Sequence, residues 1–207
     1  MTIVNRSTGR RRAQAIATRE HIIATAEKLF AENGYSNTTI ESIAATAEVA
    51  VQTIYNCLGS KSAILTAVIA RSTADADDLA TICRRIRQDA TASRASADLV
   101  KQFADWVAAA NRRSMTTLDL LDQAAAVDQK VRRRDGQDIR ESLKHFALIA
   151  ASVRSSGGTS SLSDKLAAEA IHAVAHPKIY RELVVQGSQT HTSYRLWLEA
   201  TLRQLLL

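Results

Sequence analysis

Turn-forming residues are scarce in this sequence: seven glycines and a single proline are spread over 207 residues. A sheet protein reverses direction often and uses such residues to do so, so their scarcity points to long helices joined at few breaks. Alanine, the strongest helix former, occurs 36 times, and aromatics make up only 4 %, which favours the same conclusion. The expected fold class is all-α. The chain is long enough to bury a core without disulfides or metal. Cys57 and Cys83 both fall in helical patterns and read as reduced thiols.

The longest apolar run, Phe146 to Ala151, is far short of the roughly 20 residues that cross a bilayer. Met1 to Glu20 is polar and arginine-rich rather than a secretion signal, so the expectation is a cytoplasmic protein with no membrane partner. The net charge is +6, unevenly placed: Met1 to Arg19 holds Arg6, Arg10, Arg11, Arg12 and Arg19 with no acid. Residues 1–17 read as a flexible basic arm, with Arg10, Arg11 and Arg12 at its centre. Such an arm suits polyphosphate, because each neutralised phosphate releases counterions. A merely solubilising tail is the alternative.

Periodicity places Ile22, Ile23, Ala26, Leu29 and Phe30 on one face of a helix from about Thr18 to Asn33, stopped by Gly34. Thr38 and Glu41 have the spacing of a capping box opening a second helix near Thr39, with Ile40, Ile43, Ala44 and Ala47 inward. A break at Glu48 to Ala50 precedes a short segment, Val51 to Leu58, closed by Gly59. Ser60 caps a fourth, longer helix marked by Ile64, Leu65, Val68, Ile69, Leu79, Ile82, Cys83 and Ile86, interrupted near Ser72. Separate stripes follow at Leu99–Ala110, Leu118–Ala125 and Ile139–Ala150. Asp128 to Asp138 reads as a solvated connection or a helix end, and Ser155 to Ser161 as a loop. Helices resume from Leu162 to Ala175, Pro177 suits a first helical position, and Tyr194 to Leu205 forms a last apolar face.

A helix, a short helix, a three-residue break and another short helix amount to helix-turn-helix organisation. The residues at particular places sharpen this: Thr38-Thr39-Ile40-Glu41-Ser42-Ile43-Ala44, Val49, Thr53-Ile54-Tyr55 and Gly59-Ser60-Lys61 closely resemble the DNA-binding domain of the TetR family of bacterial transcriptional regulators. His176 to Val184, followed by Tyr194 and Trp197, resembles endings common in that family. The resemblance implies a DNA-binding domain over residues 18–61 and an effector-binding and dimerising helical bundle over 62–207. It further implies phosphate contacts from Thr39, Tyr55 and Lys61, and groove contacts from Val51, Gln52 and Thr53. A hydroxyl beside free helix N–H groups suits an anion, and the carboxamide of Gln52 can pair bidentately with adenine. Without the motif, Tyr55 and Thr39 read equally as a packed aromatic and a helix cap. Four positions depart from the pattern. Glu48 stands where glycine is usual, at about 1 kcal/mol if its φ is positive. Ala50 replaces a capping serine at a similar loss, Cys57 replaces a polar ring, and Leu58 an aromatic. The basic arm offers compensation by tracking phosphates or entering the minor groove.

Symmetry implies a homodimer on a near-palindromic double-stranded operator. Tyr180, Leu183, Val184, Tyr194, Trp197, Leu198 and Leu205 are the expected seam, with internal packing as the alternative. Phe103, Trp106, Met115, Leu118, His145, Phe146 and His172 are the candidate lining of a small-molecule effector cavity, again against plain packing. No cofactor or metal is expected: His172 and His176 lack the intervening Glu of a zinc hydrolase motif, and Pro177 disfavours helical geometry at His176. The functional expectation is a ligand-responsive regulator, foremost a repressor. A constitutive or architectural DNA binder and a helical-bundle enzyme are the other classes.

Overall fold

The computed structural model describes residues 6–72 and 77–207. Helix makes up 84 % of it, and no strand occurs among the described residues. In chain order the helices are α1 (Arg6–Asn37), α2 (Ile40–Thr46), α3 (Val51–Cys57), α4 (Lys61–Ser72) and α5 (Leu79–Thr91), then α6 (Ser96–Val127), α7 (Gln129–Ser155), α8 (Asp164–Ala175), α9 (Pro177–Tyr180) and α10 (His191–Leu206). A π-helical turn, Arg181–Val185, continues α9. Among the described residues, no helix is long and apolar enough to cross a membrane.

Two compact units divide the chain. One, the head, comprises Met1–Ala74 and Asp119–Arg132; the other, the body, comprises Asp75–Leu118 and Arg133–Leu207. The head therefore takes in α4 and the elbow between α6 and α7, both of which a boundary at residues 61/62 would leave outside it. Its core consists of Ile22, Ile23, Ala26, Phe30 and Tyr35 of α1 with Ile43 and Ala44 of α2, Ile54 of α3, Ile64, Leu65 and Val68 of α4, and Leu120, Ala124 and Val131 of the elbow. Full burial of each larger aliphatic side chain contributes about 1.5–3 kcal/mol. The body core gathers Ile82 and Ile86 of α5, Leu99, Phe103 and Val107 of α6, Phe146, Ile149 and Val153 of α7, Ile171 of α8, and Tyr194, Leu198 and Leu202 of α10. Inside it the Asn111 amide donates to the Ala175 carbonyl at 2.9 Å and to the Tyr194 hydroxyl at 3.0 Å, so these three buried groups are paired.

Several local expectations change. The segment read as a loose arm is helical from Arg6, and only residues 1–5 of it lie outside the described residues. Its Arg, Ala and Gln are good helix formers extending an existing helix, so each adds a hydrogen bond without a new nucleation step. The stripes at 99–110 and 118–125 belong to one continuous helix, α6. Of the two readings of the charged stretch 128–138 the helix end holds: residues 129–138 open α7, and Asp128 alone separates α6 from α7, accepting from the Lys130 N–H at 2.8 Å. Arg132 closes α6 by donating to the carbonyls of Ala125 and Ala126 at 2.9 and 3.0 Å, which its end would otherwise leave open.

Gly34 ends the regular part of α1 at φ 77°, as expected. The cap of α2 moves one residue along. Thr39, not Thr38, is the N-cap, and its partner in the capping box is Ser42, not Glu41. Thr38 is unavailable because it is buried and its hydroxyl donates to the carbonyls of Gly34 and Leu29, at 2.9 and 3.2 Å.

Candidate nucleic-acid interface

Helix α2 ends in a Schellman motif. The Val49 N–H donates to Ala44 O at 3.0 Å and the Glu48 N–H to Ala45 O at 3.3 Å. The motif needs a left-handed residue after the cap, and Glu48 supplies it at φ 53°. Without glycine's freedom this costs about 1–2 kcal/mol. Glu48→Gly should accordingly raise the stability of the head by about 1 kcal/mol, read as a shift of the denaturation midpoint at unchanged slope; an unchanged or lowered midpoint would show that Glu48 makes compensating interactions. The turn delivers Ala50 as the N-cap of α3 with no side-chain cap bond, as its chemistry requires.

From there α3 presents one face. Ile54 is buried in the head core, Val51, Thr53 and Cys57 are half-buried, and Gln52, Tyr55 and Asn56 are exposed, Tyr55 at 47 %. The Gln52 Nε2 donates to Asn56 Oδ1 at 3.0 Å. Gly59, at φ 89°, ends the helix, and the Ser60 hydroxyl accepts from the Ala63 N–H at 3.2 Å to start α4. Of the expected phosphate contacts, Tyr55 and Thr39 are exposed. The Thr39 oxygen accepts from the Ser42 N–H at 3.1 Å, which leaves its O–H free to donate outward. Lys61 differs from a free point charge. It is half-buried, with its ammonium 4.2 Å from the Tyr35 ring centroid and 3.4 Å from the Ser36 carbonyl. Burial pushes its pKa down, and the charge of Asp128 opposes that.

Tyr35 is the anchor that sequence reading missed. Only 2 % exposed, it packs its ring 5.5 Å from that of Phe30, accepts Lys61 over its face, and donates its hydroxyl to Asp128 Oδ2 at 3.1 Å. Its backbone N–H donates to Gln123 Oε1 at 3.0 Å. Burial, then the hydrogen bond and charge of Asp128, push the phenol well above its usual range. Gly34 permits this approach: a Cβ there would stand 2.8 Å from Gln123 Oε1. These partners lie about ninety residues away in sequence, so no local pattern reveals them. Asn56, by contrast, was legible as the i+4 neighbour of Gln52. Arg10, Arg11 and Arg12 are exposed on the first turns of α1.

In the body, four of the seven candidate effector residues come together. The Phe103 ring lies 6.2 Å from Trp106 and 5.9 Å from Phe146, and Phe146 lies 6.3 Å from His172. Met115 packs on the same core, while Leu118 is buried but belongs to neither core cluster. His145 Nδ1 is bonded to Glu141 O at 2.9 Å on its own helix. Three of the residues assigned to a dimer seam are corrected. Tyr180, Tyr194 and Leu198 are buried inside the body core, where the Tyr180 and Tyr194 rings meet edge to face at 4.8 Å. Leu183, Val184, Trp197 and Leu205 are half-buried against that core. The large apolar side chains of the body that do face outward are Leu148 of α7, Leu166 of α8, Val185 of the π-helical turn and Leu196 of α10; Leu166 and Leu196 are each 52 % exposed.

Residues 22–68 match the model of the tetR family of bacterial regulatory proteins. No curated protein matches the sequence. Among solved structures, the repressor SmeT of the Stenotrophomonas maltophilia multidrug efflux pump SmeDEF is similar at 19 % identity, covering 91 % of this chain and 90 % of its own, with a TM-score of 0.66. SmeT in complex with triclosan is similar at 22 % identity over 92 % of each chain, with a TM-score of 0.69. A regulator from Saccharomonospora viridis in complex with choline is similar at 16 % identity, covering 88 % of this chain and 93 % of its own, with a TM-score of 0.61. The head therefore carries, over residues 22–68, the motif of the tetR family of bacterial regulatory proteins, on an all-helical fold similar to that of these solved structures over about nine tenths of the chain.

Proposed function

We propose that the protein is a DNA-binding transcriptional regulator, acting in the cytoplasm as a homodimeric repressor that releases a near-palindromic operator when a small molecule binds the body. The observation that carries the reading is the outward face of α3: Gln52, Tyr55 and Asn56 stand exposed beside the exposed cap Thr39. Amide and hydroxyl groups on the first turns of a second short helix suit base edges and phosphate oxygens. The cluster of Phe103, Trp106, Phe146 and His172 supports an apolar, aromatic-lined effector site, and the triclosan and choline complexes of similar folds favour a small-molecule effector. A coupling of about 1–3 kcal/mol between the two sites gives roughly 5- to 150-fold release. Leu166 and Leu196 replace the buried tyrosines as the proposed seam.

Fluorescence anisotropy on labelled duplexes tiling the DNA beside the protein's own gene tests the reading. Tight binding to one duplex, weakened by salt and lost in Tyr55→Ala with an unchanged circular dichroism spectrum, is expected. Equal affinity for all duplexes, unaffected by Tyr55→Ala, would refute it. A thermal-shift screen of small molecules, followed by release of that duplex, then separates a sensor from a constitutive binder.

A further inference from the structure

Helix α3 is unusual for a nucleic-acid reader in one respect: from Val51 to Cys57 it carries no charged side chain. It can attract DNA only weakly by itself, and whatever it contributes must come from hydrogen bonds and shape. Its two exposed carboxamides are not independent. Gln52 Nε2 donates one hydrogen to Asn56 Oδ1 at 3.0 Å along the helix face. That bond fixes the orientation of both groups. Gln52 keeps its Oε1 acceptor and one N–H; Asn56, its oxygen occupied, keeps both N–H donors.

We propose that Asn56 is a specificity-determining residue, acting with Gln52 as one reading unit. The inference rests on α3 entering the major groove. Gln52 offers an acceptor and a donor side by side, the complement of the adenine N6 amine and N7. Asn56 holds that carboxamide in one rotamer, removing freedom that an unpaired glutamine would lose on binding. Its own N–H groups point to a base edge that only accepts, guanine O6 and N7 or thymine O4. The two carboxamides stand side by side on the helix face, joined by this hydrogen bond, which suits them to bases on neighbouring stacked pairs. The unit therefore reads an adenine next to a guanine or thymine, the bases whose own major-groove edges accept without donating.

The test is affinity selection by the full-length chain from a duplex library randomised across the half-site, using wild type, Gln52→Ala and Asn56→Ala. Both side chains are exposed, so equal melting midpoints will show that the variants fold. Wild type should enrich the dinucleotide pattern. Asn56→Ala should lose about tenfold of the preference at both positions, not only its own, because Gln52 is released as well. Affinity for mixed-sequence duplex should fall less than affinity for the selected sequence, the mark of a lost base contact rather than a lost phosphate contact. Enrichment by wild type with an Asn56→Ala profile indistinguishable from it, or altered at one position only, overturns the paired reading while leaving the regulator intact. Failure of wild type to enrich any sequence overturns both.

Discussion

Replacing Tyr35 by alanine should melt the head, with a loss of about 3–5 kcal/mol, the range for removing a buried aromatic ring. The ring is 2 % exposed and ties together three parts of the head: Phe30 inside α1, Lys61 at the start of α4, and Asp128 between α6 and α7. Truncation leaves a cavity, strips the Lys61 ammonium of its aromatic cover, and leaves the Asp128 carboxylate without its hydroxyl. Hydrogen exchange read separately on α1–α4 amides and on α7–α10 amides measures the effect where it is expected. A uniform loss below about 1 kcal/mol would mean that the site collapses around the smaller side chain. Tyr35→Phe removes the hydroxyl alone and should lose about 1–3 kcal/mol, because Asp128 keeps its charge and loses a partner.

The same phenol gives the head a pH dependence of known sign. Its folded pKa is raised, above all by burial, whereas in the unfolded chain it ionises near 10. The stabilisation is therefore complete below about pH 10 and is lost as the pH rises beyond it, where the unfolded chain releases the proton first. Tyr35→Phe should flatten that alkaline loss in the head. Tyr194, also raised by burial, keeps the body's own alkaline sensitivity and serves as an internal control.

Much of the fold was legible because it depends on neighbours in sequence. The inward face of α1, its stop at Gly34, the closing of α3 by Gly59 and Ser60, and Pro177 opening α9 all follow from periodicity and local backbone preference. The missing glycine at position 48 is visible in the sequence, and the φ of 53° at Glu48 is the strain it implies. The misreadings share a different cause. Thr38 and Thr39 are equally good caps on paper, and only the tertiary use of the Thr38 hydroxyl decides between them. Periodicity shows two apolar stripes but not that one helix, α6, runs unbroken through both. Tyr194 and Leu198 have the composition of an interface and of a core alike, and packing placed them in the core.

Substituting Arg10, Arg11 and Arg12 together by alanine should reduce the slope of log affinity against log salt by about 2.7, the release expected for three phosphate contacts at about 0.9 each. Between 50 and 200 mM salt this is a roughly 40-fold smaller fall in affinity. Alanine is chosen because the segment is helical rather than a loose arm: it preserves the helix and removes three positive charges near the positive end of the helix dipole. Helicity by circular dichroism should therefore hold or rise while DNA affinity drops, which separates charge from fold. The helical form also narrows how these residues engage DNA. A helix about 10–12 Å across does not fit a minor groove about 6 Å wide, so the arginines are expected to follow the phosphate backbone and to weaken binding equally on all sequences. A salt slope unchanged by the triple substitution would make the extension a solubilising segment, and sequence-dependent losses would mean that it unwinds to read the minor groove.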